Sequence, residues 1–228
     1  MDSERDQLRR SWDANARSWT DAVRNQSIES RRLVTNAAIL TAVRECGGRR
    51  VLDLGCGEGW LSRALTAAGH DVTGIDASAT LIEEAQRLGG GEFLQLSYDD
   101  IVTWQPSPFD TIVANFSLLD DRIDVLLRAL RPLLVEDGRL LIQTTHPLFT
   151  GSEGAYADGW RTETFGSLPG QWREPMPWYF RTVGSWVRVI TEGGFHVREI
   201  REPLYPDKPL PASMIMIGSP LPATRGEG

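Results

Sequence analysis

Three glycines on alternate positions, Gly55, Gly57 and Gly59, follow directly on an apolar run, and that run holds a carboxylate at Asp53. Glycine lets a chain turn tightly and lets its backbone come close to a ligand. A second carboxylate, Asp76, ends the next apolar run. At the tip of a second parallel strand, an acidic side chain accepts hydrogen bonds from ribose hydroxyls. Together these features ask for a ligand that carries a nucleoside. A dinucleotide fingerprint reads GxGxxG, whereas the spacing here is GxGxG. Asp53 also stands two residues before the first glycine, where a carboxylate repels a pyrophosphate and suits an ammonium. The expected ligand therefore has a sugar, a cationic end and no phosphate.

Other residue types able to do chemistry are few. His146 closes the fifth apolar run, on the side of a parallel sheet where ligands bind, and a histidine titrates near neutrality. It is the candidate general base. His70 falls in a turn and His196 in a later strand, both remote from the expected site. Cys46 and Cys56 lack CxxC spacing, which argues against a zinc site or a disulfide framework, so no metal is expected. Cys56 reads as a small loop residue beside the ligand. Arg31, Arg161, Arg173 and Arg181 are candidates for holding an anionic group.

The elements that position these residues follow from hydrophobic period. Leu8, Trp12, Ala16 and Trp19 recur at helical steps, and a second helix runs from about Ile28 to Val43 with Leu33, Ala37 and Leu40 on one face. Strand and helix patterns then alternate: RRVLDLG, WLSRALTAAG, DVTGID, SATLIEEAQRL with Ser78 as its cap, EFLQLS, FDTIVANF, DRIDVLLRALRPLL and GRLLIQTTH. Such alternation means right-handed βαβ units and a parallel sheet with helices on both faces. The pattern breaks at residues 147–177, a stretch rich in Gly, Pro and aromatics. A stretch of that length in a compact domain reads as a lid. A helix at about 181–192 and two strands, GFHVREI and PASMIMIGS, complete seven strands. One domain spanning 1–228 is expected, with residues 1–46 as a helical cap and 147–180 as an insertion over the acceptor site.

VLDLGCGEG and GIDAS resemble the first two motifs of the class I S-adenosylmethionine-dependent methyltransferases, in particular their small-molecule branch. FDTIVANFSLLDD and LRPLLVEDGRLLI are similar to the two motifs that follow in that family. The resemblance implies a Rossmann-like α/β fold with strand order 3-2-1-4-5-7-6 and the last strand antiparallel. It implies that the backbone at Gly55 and Gly57 packs on the methionine part of the cofactor, that Asp76 binds the ribose and that Ala77 lies on the adenine. For the adenine edge three candidates stand side by side: the Ser97 hydroxyl, the Tyr98 backbone and the Asp99 carboxylate. Asn115 and Phe116 would border the methyl group. The [DNS]PP[YFW] motif of base and amide N-methyltransferases is replaced here by ANFS, which lowers those activities. Trp19, Tyr156, Tyr179 and Arg181 are expected on the acceptor side, under a lid that excludes water.

Composition bounds the partners. The chain has 228 residues, 41% of them hydrophobic, and a net charge of −7, which disfavours a nucleic-acid partner. The charged N-terminus has no signal-peptide core, and no apolar run is long enough for a membrane span. The expectation is a cytoplasmic monomer or homodimer that uses S-adenosylmethionine to methylate an O or N atom of a small metabolite. The competing expectation is a protein that binds S-adenosylmethionine or S-adenosylhomocysteine without turnover.

Overall fold

The computed structural model describes residues 3–148 and 155–222; the parts of the expected insertion and C-terminal tail at 149–154 and 223–228 lie outside the described residues. In chain order come helices α1 (Glu4–Arg24) and α2 (Asn36–Cys46), strand β1 (Arg50–Leu54), α3 (Trp60–Ala67), β2 (Asp71–Asp76), α4 (Ala79–Leu88), β3 (Glu92–Gln95) and β4 (Phe109–Asn115). They are followed by α5 (Ile123–Leu130), β5 (Leu134–Thr144), β6 (Gly159–Glu163), β7 (Met176–Phe180), α6 (Val183–Glu192), β8 (Phe195–Arg201) and β9 (Met214–Pro220).

Seven strands form one sheet in the order β3-β2-β1-β4-β5-β9-β8, while β6 and β7 form a separate antiparallel hairpin. With that hairpin set aside, the path is the 3-2-1-4-5-7-6 expected from the sequence. The strands from β1 to β5 run parallel, and β9 is antiparallel to both its neighbours. Both faces are covered, which is why β1 reads as an almost unbroken apolar run. Ile39, Ala42 and Val43 of α2 and Leu61 and Leu65 of α3 pack on Val51, Val72 and Val113. On the opposite face Leu127 and Leu130 of α5 and Trp186 and Ile190 of α6 pack on Leu52, Leu54 and Ile112. Among the described residues no helix is long and apolar enough to cross a membrane.

Three local expectations need correction. The helix predicted from Ile28 is interrupted, because residues Arg31–Thr35 wind as a wide π turn ahead of α2. The core face is also not the predicted one: Leu33 is 37% exposed and Ala37 is exposed, while Ile39, Ala42 and Val43 are buried. Ser78 precedes α4 but makes no side-chain cap; its Oγ is buried without a partner, and its N–H instead donates to Asp76 Oδ1 at 2.9 Å. The stretch at 147–177 also contains regular structure, β6 and the start of β7, whose alternation is masked by aromatic and polar residues on both faces.

Candidate functional site

Beyond the C-terminal ends of the parallel strands lies a cavity of about 520 Å³, bounded by the glycine loop, the segments after β2, β3 and β4, helix α1 and the β6–β7 hairpin. This is where open α/β sheets bind ligands, and the volume is in the usual range for a ligand pocket.

The floor is the turn after β1. Gly55 has φ +71°, and a Cβ there would meet Ser117 Cβ at 2.5 Å and the Tyr98 hydroxyl at 2.6 Å, so only glycine lets the segments after β1, β3 and β4 converge. Gly57, at φ +56°, is different: a Cβ there would meet nothing within 4 Å, and the residue lines the cavity. Asp76 at the tip of β2 accepts the Gly57 N–H on Oδ2 and the Ser78 N–H on Oδ1, both at 2.9 Å. Burial holds the Asp76 carboxyl above its usual range, and these two amides oppose that shift. Each oxygen keeps a lone pair for a further donor. Cys56 also lines the cavity, with its thiol directed to the Gly57 carbonyl at 3.6 Å and pushed up by burial, which leaves it inert as a nucleophile.

Asp53 lies beneath this loop and outside the cavity wall. It is 1% exposed and accepts the Ser62 hydroxyl of α3 at 2.7 Å. Burial pushes its carboxyl up to about 7, against the Ser62 hydrogen bond and helped by the charge of Asp76. An ammonium in the cavity would feel Asp53 through the loop without touching it. A cation that does reach the wall near the loop is Arg31, the first residue of the π turn; Arg5, Arg9 and Arg122 line the same cavity. Its guanidinium lies 4.8 Å from the Trp60 ring centroid and 5.9 Å from that of Trp19. Nε donates to Asn36 Oδ1 at 3.3 Å, while Nη2 is buried with no partner. Burial lowers its pKa to about 10, with Glu58 and Asp53 supporting the charge. A buried cation with an idle donor suits a carboxylate, and π turns recur at functional sites.

Ala77, Ser97, Tyr98 and Asp99 all line the cavity beside Asp76. The Tyr98 hydroxyl donates to the Ser117 carbonyl at 3.2 Å, and the Ser97 hydroxyl donates to Asp100 Oδ2 at 2.6 Å. Asn115 and Phe116 end β4 on the same wall. Phe116 has φ +56°, a strained position for a bulky residue, and Asn115 Oδ1 is buried without a partner.

Residues 51–138 match the family model described as a methyltransferase domain. Over that segment the chain is similar to methyltransferase domains. Over 104 residues it is 39% identical to a ubiquinone biosynthesis O-methyltransferase of Xylella fastidiosa, an alignment covering 42% of each chain, so it spans less than half of that relative. A solved S-adenosylmethionine-dependent methyltransferase from Mesorhizobium loti aligns with TM-score 0.61 and 21% identity over 80% of this chain and 96% of that one. The 1,6-didemethyltoxoflavin-N1-methyltransferase of Burkholderia thailandensis aligns with TM-score 0.66 and 19% identity over 97% and 92%. At these identities the solved structures establish the fold.

The far end of the cavity is closed by α1 and the hairpin. Asn15 holds the two together: its Nδ2 donates to the Glu174 carbonyl at 2.7 Å and its Oδ1 accepts the Arg173 N–H at 2.8 Å. Leu8, Phe165 and Met176 pack between them with Trp12 and Leu168. The β6–β7 register pairs Arg161 with Trp178 and Glu163 with Met176, which puts Glu163, Met176 and Trp178 on one hairpin face, and all three line the cavity. Tyr179 pairs with Trp160 on the other face and borders a separate small recess with Arg181. Arg181 is 3% exposed, donates to the Asp120 carbonyl at 2.6 Å and stacks on Tyr179. Tyr156 is 49% exposed and accepts the Val183 N–H. Of the four residues expected on the acceptor side, the main cavity wall includes Trp19 and leaves out Tyr156, Tyr179 and Arg181. Glu163, Phe165 and Met176 were missed, and the signal for them was strand alternation in WRTE and MPWY.

His146 also departs from expectation. It is 3% exposed and outside the wall of the main cavity. Nε2 lies 2.7 Å from Glu202 Oε1, and Nδ1 accepts the Leu148 N–H at 3.3 Å. That pattern puts the ring proton on Nε2, facing Glu202. The ring ties the end of β5 to the segment after β8, and no lone pair faces an acceptor.

Proposed function

We propose that the chain is an S-adenosylmethionine-dependent methyltransferase acting on an O or N atom of a small-molecule acceptor. The observation that carries this reading is the Asp76 carboxylate at the tip of β2, clamped to a glycine loop that leaves open space at Gly57. The residues present fit S-adenosylmethionine. Asp76 would hold the ribose hydroxyls, Ala77 and Tyr98 would flank the adenine, Gly55 and Gly57 would admit the methionine chain, and Arg31 would hold its carboxylate. When bound, the cofactor supplies a methyl group already activated on a sulfonium. The protein's task is then to position the acceptor and exclude water. Helix α1 and the β6–β7 hairpin would serve as that cover. With His146 off the wall, the histidine base that an oxygen acceptor would use is not on the cavity.

One observation favours a binding-only protein: no histidine lines the cavity to act as a base. A neutral amine acceptor needs positioning alone, so this does not outweigh the fit. Calorimetry with S-adenosylhomocysteine and with NAD tests the cofactor: binding of the first is expected, and binding of NAD alone would overturn the reading. Transfer from labelled S-adenosylmethionine to a metabolite panel separates an enzyme from a binding protein.

A further inference from the structure

The acceptor end of the cavity holds a carboxylate that nothing among the described residues neutralises. Five carboxylates line the wall: Glu58, Asp76, Asp99, Asp120 and Glu163. Glu58 is paired with Arg63 at 2.6 Å, Asp120 with Arg5 at 2.8 Å and Asp99 with Arg9 at 3.7 Å. Asp76 receives two backbone amides at the nucleoside end. Among the described residues Glu163 has no cationic partner; its one contact is the Phe165 N–H, accepted on Oε1 at 2.6 Å. That contact fixes the side chain. Phe165 is held at φ +59° and stacks on Trp172 with centroids 4.1 Å apart, so the turn carrying Glu163 is strained and braced.

Glu163 sits far from the nucleoside end. Strand β7, which pairs with its strand, is anchored by the Tyr179 N–H to the Leu119 carbonyl after β4, whereas Asp76 ends β2, two strands away. The wall that Glu163 shares holds Trp12, Phe165, Met176 and Trp178, and of its arginines Arg5 and Arg9 are paired with Asp120 and Asp99. A lone carboxylate among aromatic faces is the donor set that recognises an amine, through a charge-assisted hydrogen bond and cation–π attraction. It repels an anionic acceptor.

We infer that Glu163 selects the acceptor, and that the acceptor is an uncharged or cationic amine carried on an apolar ring. The inference rests on the methyltransferase reading and narrows it to nitrogen. An amine offers an N–H to Glu163 whether or not it is protonated; a protonated amine must first give that proton up, to the Glu163 carboxylate or to water, because only the neutral nitrogen has the lone pair that takes the methyl.

The test is calorimetry on the full chain saturated with S-adenosylhomocysteine, using 1-naphthylmethylamine and 1-naphthylacetate as probes of matched shape and opposite charge. The amine is expected to bind at least about ten-fold more tightly than the acid, and Glu163→Gln is expected to weaken the amine about ten-fold. Gln keeps an oxygen for the Phe165 N–H, and the wild-type preference between probes can be read without any variant. Equal binding of the probes, preference for the acid, no binding of the amine, or unchanged amine affinity in folded Glu163→Gln would each overturn the inference. Failure of S-adenosylhomocysteine itself to bind would remove the methyltransferase reading and this inference with it.

Discussion

Replacing Asp53 with Asn should stabilise the protein in a pH-dependent way. In the unfolded chain this carboxyl titrates near 3.8, and in the fold burial moves it to about 7. Between those values the folded state keeps a proton that the unfolded state has lost. Stability therefore falls as pH rises through that window, and the whole penalty is present above it. At 1.36 kcal/mol per pH unit, the gap corresponds to about 4 kcal/mol. Asn offers an oxygen to the Ser62 hydroxyl, now at 2.7 Å from Asp53, and carries no charge. The advantage of Asp53→Asn over wild type should grow by about 2–3 kcal/mol from pH 5 to pH 8. For a domain of this size that is about 5–10 °C in Tm. Thermal unfolding of both proteins across that range is the assay. A difference that stays constant with pH would show that Asp53 titrates normally in the fold, and the argument from its burial would fail.

The remaining expectations concern the same loop and its neighbours. Asp76→Ala should weaken S-adenosylhomocysteine by about 1–3 kcal/mol in calorimetry, and unchanged affinity in a folded variant would remove the ribose role. Gly55→Ala should destabilise by about 2–4 kcal/mol in urea unfolding, because the new methyl meets Ser117 and Tyr98 at a positive φ. His146→Ala should lose about 1–3 kcal/mol of stability through its broken contacts to Glu202 and Leu148, with turnover on an identified acceptor retained. A hundred-fold fall in turnover would return His146 to the role of base.

What the sequence determined by itself was the glycine loop, its carboxylates and the sheet beneath them. The glycines at 55 and 57, the carboxylates at 53 and 76 and the alternation of strand and helix are local properties, set by allowed φ and by burial on both faces of a sheet. Tertiary structure decided which side chains face the cavity. Helical spacing put Leu33 and Ala37 on the core face, whereas packing buries Ile39, Ala42 and Val43 and the π turn at Arg31–Thr35 carries Arg31 on the wall. Strand alternation in the hairpin turned Glu163 and Trp178 inward and Tyr179 outward. His146 sits where a base was expected, yet its partners are Leu148 and Glu202, the latter distant in the chain and brought near only by the packing of β8 and β9 beside β5. Spacing names the residues that can bind; the direction of a side chain depends on segments that meet only when the chain has folded.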